Sequence, residues 1–294
     1  MSVPFEAAQS GLASVQAPGF DLEKTLNSGQ VFHWVAHGRG FLGCIGDLPV
    51  YLEQSGETVL VKAEHSAEAS RYLALDHSVP DILATFPDDP ALRTAAEFSG
   101  GIRILRQPAW ECLGTFITSA LKQVRHIRAV SLTIRRRFGK HVSCAGAEAF
   151  AYPPAGVLAD AGLEALQECK LGFRAKNLLA AAQTVAGGAL NLEGLRCLPT
   201  DVARQQLCRI PGVGPKIANC VLLFAYERLN VVPVDVWIHR AVAQTYFAGR
   251  GRTREQVVQA FTEEYFGPYA GYAQQFLFHH WRMTYRSRAS ERLG

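Results

Sequence analysis

"LCRIPGVGPKIANC", residues 207–220, decides how the rest of the chain is read. Leu207 to Ile210 close one helical pattern. Pro215 suits the first position of the next helix, where its missing N–H costs nothing. Between them, Gly212 and Gly214 admit positive φ and let another backbone come close. Amides left exposed at such a helix start form an anion site, and a phosphodiester is a natural occupant. The stretch reads as a helix–hairpin–helix that grips a nucleic-acid backbone through Gly212, Val213 and Gly214 without reading its sequence. A glycine-rich turn between two core helices is the plainer alternative, and the full string argues against it.

Ile217, Cys220, Val221 and Phe224 follow i, i+3, i+4, i+7 spacing and should face a core. Lys216 sits beside that stripe at the positive end of the helix dipole. Desolvation and the dipole both disfavour an ammonium, so its pKa is expected to fall. An amine neutral near pH 7 is a nucleophile suited to Schiff-base chemistry. A phosphate-binding or solvated lysine fits the same spacing equally well.

Outward from the hairpin, "VVPVDVWIHRAVAQTYF", residues 231–247, places Asp235 between an extended segment and an apolar-periodic helix. Aspartate is a favoured N-cap, which is reason enough for its presence. A capping carboxylate that faces a cleft can also stabilise positive charge developing at a sugar carbon, or help to place and deprotonate the lysine. The residue alone does not choose between these roles.

The chain has 294 residues, a formal charge of +4 and 48% hydrophobic residues, the profile of a soluble globular protein that permits a nucleic-acid partner. No apolar run reaches the roughly 20 residues of a membrane helix, and no secretory signal is visible at the start. The seven cysteines, at 44, 112, 144, 169, 197, 208 and 220, contain no CxxC pair. Reduced, intracellular thiols are expected, with no disulfide framework and no structural zinc.

Residues 31–64 alternate apolar and polar side chains between Gly-containing breaks, the pattern of an antiparallel meander, and the first sixty or so residues read as strands. From Ala67 the period becomes helical. Residues 108–139 form one long helix or two abutting ones, and further helices are expected at about 155–168, 174–187, 200–208, 215–228, 235–247, 253–266 and 270–285. The expected class is α+β. An N-terminal antiparallel β-rich domain over 1–105, with helices at its end, precedes an all-α region over 106–294.

Lys216 and Asp235, joined by a helix and a Val-Pro-Val-Asp segment, resemble the helix–hairpin–helix–Gly/Pro–Asp superfamily of DNA glycosylases. "LNSGQVFHW" at 26–34, "ILRQPAWECLGTFITS" at 104–119, "LGFRAKNL" at 171–178 and "GPYAGYAQQFLF" at 267–278 narrow the resemblance to the eukaryotic-type 8-oxoguanine DNA glycosylase family. The resemblance implies a DNA N-glycosylase and AP lyase of base excision repair. It would act as an intracellular monomer on double-stranded DNA containing an oxidised purine, in a bacterial cytoplasm or a nucleus, with its active site between helical subdomains. The damaged base is everted into a pocket, Lys216 attacks C1′, and the resulting Schiff base undergoes β-elimination. Asp235 supports charge on the sugar. Gly29 matches the glycine whose carbonyl accepts the N7–H that 8-oxoguanine has and guanine lacks. Gln274 matches the amide that reads the Watson–Crick edge, and Phe278 and Cys220 match the residues that sandwich the base. Phe173 matches a wedge near the estranged partner base, with Arg174 its neighbour. In this superfamily a sodium or potassium ion sits on backbone carbonyls, matched here by Cys208, Ile210 and Val213. No other cofactor is implied, and with no cysteine after Cys220 the four-cysteine iron–sulfur loop of a related branch is absent.

The chain departs from the family on the partner-strand side. Leu121, Lys122 and Gln123 occupy places where the family has an asparagine-rich stretch, and His126 replaces an arginine that reads the orphaned cytosine. Leu121 fits an apolar wedge, and Lys122, Arg125 and Arg128 fit phosphate contacts. Trp237 replaces a phosphate-touching histidine, and Trp281 an acidic residue near the pocket. A relaxed preference for opposite cytosine follows. A monofunctional alkylpurine glycosylase would lack Lys216, and a non-catalytic DNA-binding hairpin protein would not need Lys216, Asp235 and the pocket residues together.

Overall fold

The computed structural model describes residues 11–120, 123–249 and 253–291, with side chains as far as Thr284. Strands β1 (Leu12–Gln16), β2 (Val35–His37), β3 (Gly40–Ile45), β4 (Leu48–Ser55) and β5 (Thr58–Lys62) form one antiparallel sheet in the order β1-β5-β4-β3-β2. β2 to β5 are the expected meander, and β1 closes its far edge with Leu12 opposite Lys62. Between β1 and β2 lies a helix, α1 (Leu22–Asn27), capped by the Asp21 side chain on the Lys24 N–H. The reading of the first sixty residues as strands is corrected here, because a local cap nucleates a short helix within them.

Side chains alternate across the sheet as period-2 geometry requires. Val50 and Leu52 pack with Trp34 and Tyr72 on one face, the latter from α2 (Ser66–Tyr72). Tyr51 packs on the other face with Leu42 and Cys44. That second face is covered by a hairpin of β6 (His141–Cys144) and β7 (Ala147–Phe150), in a stretch expected to be helical or loop. Its turn residues Ala145 and Gly146 have φ of 52° and 74°, the paired positive values of a tight hairpin turn. Alanine seldom adopts that conformation, so the usual turn signal is missing from the sequence.

The remaining helices share one core. α3 (Val79–Ala84) and α4 (Pro90–Phe98), grouped by sequence with the β-rich part, contribute Ile82, Leu92 and Ala95 to it. Residues 108–139 form two helices, α5 (Ala109–Ser119) and α6 (Val124–Phe138). α7 (Ala155–Gln167), α8 (Arg174–Ala186), α9 (Thr200–Cys208), α10 (Pro215–Tyr226), α11 (Val236–Tyr246), α12 (Glu255–Tyr265) and α13 (Ala270–Glu291) complete the order. Every residue of α10 from Ile217 to Tyr226 is buried, so this helix runs through the centre. α13 crosses it closely at Gly271, where a Cβ would lie 2.4 Å from Leu223 Cδ1. No helix among the described residues is long and apolar enough to cross a membrane.

Candidate active site

A cleft of about 910 Å³ opens where α10 and α11 begin. Lys216, Asp235, Gly29, Phe116, Phe278 and Arg282 line it, together with Gly214 and Pro215 of the hairpin and Gln123 and Trp237 at the starts of α6 and α11. The amine and the carboxylate that the sequence singled out therefore open onto one cavity.

Pro215 is the first residue of α10 and Gly214 its N-cap, so Lys216 projects from the first turn. Its Nζ lies 5.3 Å from the centroid of the Phe116 ring, which itself stacks on Phe224. A cation over an aromatic face is held by the ring quadrupole. Phe116 is a site residue that sequence reasoning passed over, although it stands in the quoted 104–119 stretch. Asp235 caps α11, accepting the Ile238 N–H at 2.8 Å. Burial raises its pKa, while that amide and the Lys216 charge pull it back down. The segment before it is fixed by buried Asn219, which donates to the Val232 carbonyl at 2.9 Å and accepts from Arg204 Nε at 2.8 Å. Cys220, one turn beyond Lys216, is buried; burial pushes its thiol up to about 11, and the nearby Lys216 opposes the rise.

Gly29 has φ +94° and sits in a loop held from three sides. Gln30, fully buried, donates to the Arg103 carbonyl at 2.7 Å and accepts the Leu105 N–H at 2.8 Å. Gln107 donates to the Gln30 carbonyl at 2.8 Å, and Gln275 of α13 to the Ser28 carbonyl at 3.2 Å. These glutamines fix the carbonyls around Gly29, and none was read from sequence as part of the site. On α13, Phe278 abuts Gly29: a Cβ there would meet Phe278 Cε1 at 2.9 Å. Gln274, one turn earlier, is 4% exposed, and its Oε1 has no hydrogen-bond partner among the described residues. A buried orphaned amide oxygen of this kind calls for a donor from a ligand.

At the rim, Gly212 has φ +81°, and a Cβ on it would run into the Asn177 side chain at 2.1 Å, so both reasons for glycine hold. Val213 packs inward, 5% exposed, and leaves the hairpin backbone outward. The carbonyls of Cys208 and Val213 accept no protein hydrogen bond among the described residues, and that of Ile210 accepts one, from the Val213 N–H. Such underused carbonyl oxygens fit a hard alkali cation. Gln123, Arg125 and His126 are exposed at the start of α6; Leu121 and Lys122 lie outside the described residues. Phe173 is 59% exposed, large for an aromatic ring. Arg174 turns inward instead of towards a ligand. It is 5% exposed, donates to the Ala120 carbonyl at 2.6 Å and stacks 4.3 Å from the Phe173 ring centroid. It thereby ties the end of α5 to the exposed phenylalanine.

A lysine amine and an N-capping carboxylate lining one cleft beside a glycine hairpin define a helix–hairpin–helix base-excision enzyme. Residues 13–113 match the 8-oxoguanine DNA glycosylase N-terminal domain, and 116–265 match the HhH-GPD superfamily of base excision DNA repair proteins. The chain belongs to the 8-oxoguanine DNA glycosylase family of that superfamily. It is 29% identical to the N-glycosylase/DNA lyase OGG1 of Arabidopsis thaliana over 87% of this chain and 76% of that one. Its fold superposes on MBOgg1, solved with a low-affinity DNA ligand, with a TM-score of 0.89 and 31% identity, covering 94% of this chain and 96% of the other. The Clostridium acetobutylicum 8-oxoguanine glycosylase/lyase, solved with duplex DNA carrying cytosine opposite 8-oxoG, gives 0.88 and 29% with the same coverage.

Proposed function

We propose that this DNA glycosylase and AP lyase excises 8-oxoguanine from duplex DNA using Lys216 as the nucleophile, Asp235 as the electrostatic partner and Gly29 as the reader of the lesion. The observation that carries the reading is that these three residues line one cleft with Phe278. The hairpin amides at 212–214 hold a backbone phosphate, and Phe173 enters the duplex beside the vacated stack. Eversion brings the base between Phe278 and Cys220, where Phe278 must first leave Gly29. The Gly29 carbonyl then accepts N7–H, and guanine would set two acceptors face to face at that point. The orphaned Gln274 oxygen accepts from the Watson–Crick edge.

In the chemical step, the Lys216 Nζ–C1′ bond forms as the bond from C1′ to the base breaks. The base leaves with the electron pair and takes up a proton. Asp235 supports positive charge at the sugar, its carboxylate held in place by the helix cap. Ring opening gives the iminium. Loss of a C2′ proton then expels the 3′ phosphate, and hydrolysis frees the lysine. A sodium or potassium ion on the Cys208, Ile210 and Val213 carbonyls would supply fixed positive charge behind the phosphate-binding amides. The test is incision of duplexes that differ only in 8-oxoguanine or guanine at one position. Cutting confined to the lesion strand supports the reading, and equal binding of both without cutting contradicts it.

A further inference from the structure

Arg128 lies in the second turn of α6, the helix whose start at Gln123 lines the cleft. Its guanidinium is half-buried and meets protein acceptors, in place of the phosphate expected from sequence. Nη2 donates to the Trp34 carbonyl, and Nη1 approaches the Asn27 side-chain oxygen at 3.5 Å. These two residues bracket Gly29, so one planar group reaches both ends of the lesion-reading loop. Trp34 is itself anchored. Its indole N–H donates to the Tyr72 hydroxyl at 3.1 Å, and a Cβ on Gly43 would lie 2.6 Å from its ring. Seven residues on, two turns along the same face of α6, comes Arg135, 2% exposed. It pairs with Glu111, whose carboxylate lies 3.3 Å from Nδ1 of His33. α6 therefore holds the 33–34 end of the loop at two points, while Gln30, Gln107 and Gln275 hold it at residues 28 and 30.

The Gly29 carbonyl tells a donor from an acceptor at one atom of the base, so a misplacement of about 1 Å weakens its reading. We propose that Arg128 is a positioning residue that sets lesion specificity: it docks the loop on α6 and so places the Gly29 carbonyl, without touching the base. The assignment rests on the reading of Gly29 given above. A guanidinium suits the task because its rigid fork can face two acceptors at once, whereas an ammonium is a single point charge. Its half-burial favours the docked arrangement, since a charge taken out of water is stabilised by the acceptors it meets. The lesion reader is thereby fastened to the helix that presents Gln123, Arg125 and His126 at its start.

The experiment makes Arg128→Met in the full-length protein and takes three readings. The ratio of 8-oxoguanine to guanine duplex affinity, measured with Lys216→Gln added to remove chemistry, should fall about tenfold, the weight of one charge-assisted hydrogen bond. Incision of a duplex carrying an abasic site, which offers no base to read, should hardly change. The salt dependence of binding to undamaged duplex should keep its slope, because no phosphate contact is lost. If circular dichroism shows Arg128→Met to be unfolded, Arg128→Lys is read in the same way, and loss of the fork should lower the ratio. An unchanged ratio overturns the proposal. So does a fall in abasic-site incision as large as the fall in the ratio, which would mean general support of the fold. A salt slope reduced by about one with the ratio intact would make Arg128 a phosphate contact and overturn it as well. Failure of the Lys216→Gln protein itself to prefer 8-oxoguanine over guanine would instead remove the Gly29 reading beneath it.

Discussion

Lys216 and Asp235 start neighbouring helices, α10 and α11, and both starts open onto one cleft. The Asp235 carboxylate accepts the Ile238 N–H at 2.8 Å while the Lys216 charge lowers its pKa against the opposing effect of burial. Capping and catalysis are therefore not rival explanations of Asp235. The cap fixes the direction of the carboxylate, and a fixed dipole is what stabilises charge without reorganisation.

Asp235→Asn separates the two roles. Asparagine caps as well as aspartate, so the helix start survives. The folded-state pKa of Asp235 is raised, so its ionisation disfavours the fold. That group's contribution is most favourable below the unfolded pKa and is lost as pH rises through the folded one. At pH 7 the asparagine variant should melt at or above the wild-type Tm while excision falls about a hundredfold. Calorimetry and single-turnover excision check both arms. The wild-type acid limb of activity should also lie above the ordinary aspartate value of about 3.9.

Gln30→Ala should damage lesion discrimination out of proportion to its distance from the chemistry. It leaves the Arg103 carbonyl and the Leu105 N–H without partners, at about 1–3 kcal/mol each. Denaturant titration should show that loss. The ratio of 8-oxoguanine to guanine affinity should fall as the loop at Gly29 loosens, and an unchanged ratio would show that the loop is held by other means.

Two buried histidines set the acid side of stability. His33 donates to the Cys44 carbonyl at 2.8 Å beside Glu111 and Arg135, and burial holds its pKa well below the usual 6.5. Burial brings His279 down to about 4, with Arg282 adding to the effect. Both stay neutral in the fold and take up a proton on unfolding, so stability is full above pH 6.5 and lost below it. The expected slope reaches about 1.4 kcal/mol per pH unit for each. Tm measured from pH 7 to 5.5 should fall, and His279→Asn should flatten the fall.

The partner-strand side predicts weak selectivity. Gln123, Arg125 and His126 are exposed beside the cleft, with no arginine at 126 to read an orphaned cytosine. Excision of 8-oxoguanine opposite cytosine, thymine, guanine and adenine should differ by about tenfold or less, in line with the loss of one bidentate contact. A preference of several hundredfold for cytosine would contradict this.

Features set by local chain geometry were legible in the sequence. The hairpin was readable because Gly212 needs a positive φ, and the Asp235 cap because an aspartate before an apolar period has few other local uses. What depended on long-range packing was not. Arg282 reaches the Asn27 carbonyl from a helix 255 residues further along the chain, and Gln30 finds its partners 73 and 75 residues away. The inward turn of Arg174 follows from the position of Ala120 at the end of α5, which no pattern in 171–178 announces. The β6–β7 hairpin was hidden by an alanine at φ 52°.

The most direct measurement is the identity of the residue bound to DNA when the reaction on an 8-oxoguanine duplex is reduced with borohydride. Digestion and mass spectrometry should place the adduct on the peptide containing Lys216, and Lys216→Gln should give no adduct while still binding the duplex. An adduct on any other residue, or continued trapping by Lys216→Gln, would contradict the assignment of the nucleophile and the site built around it.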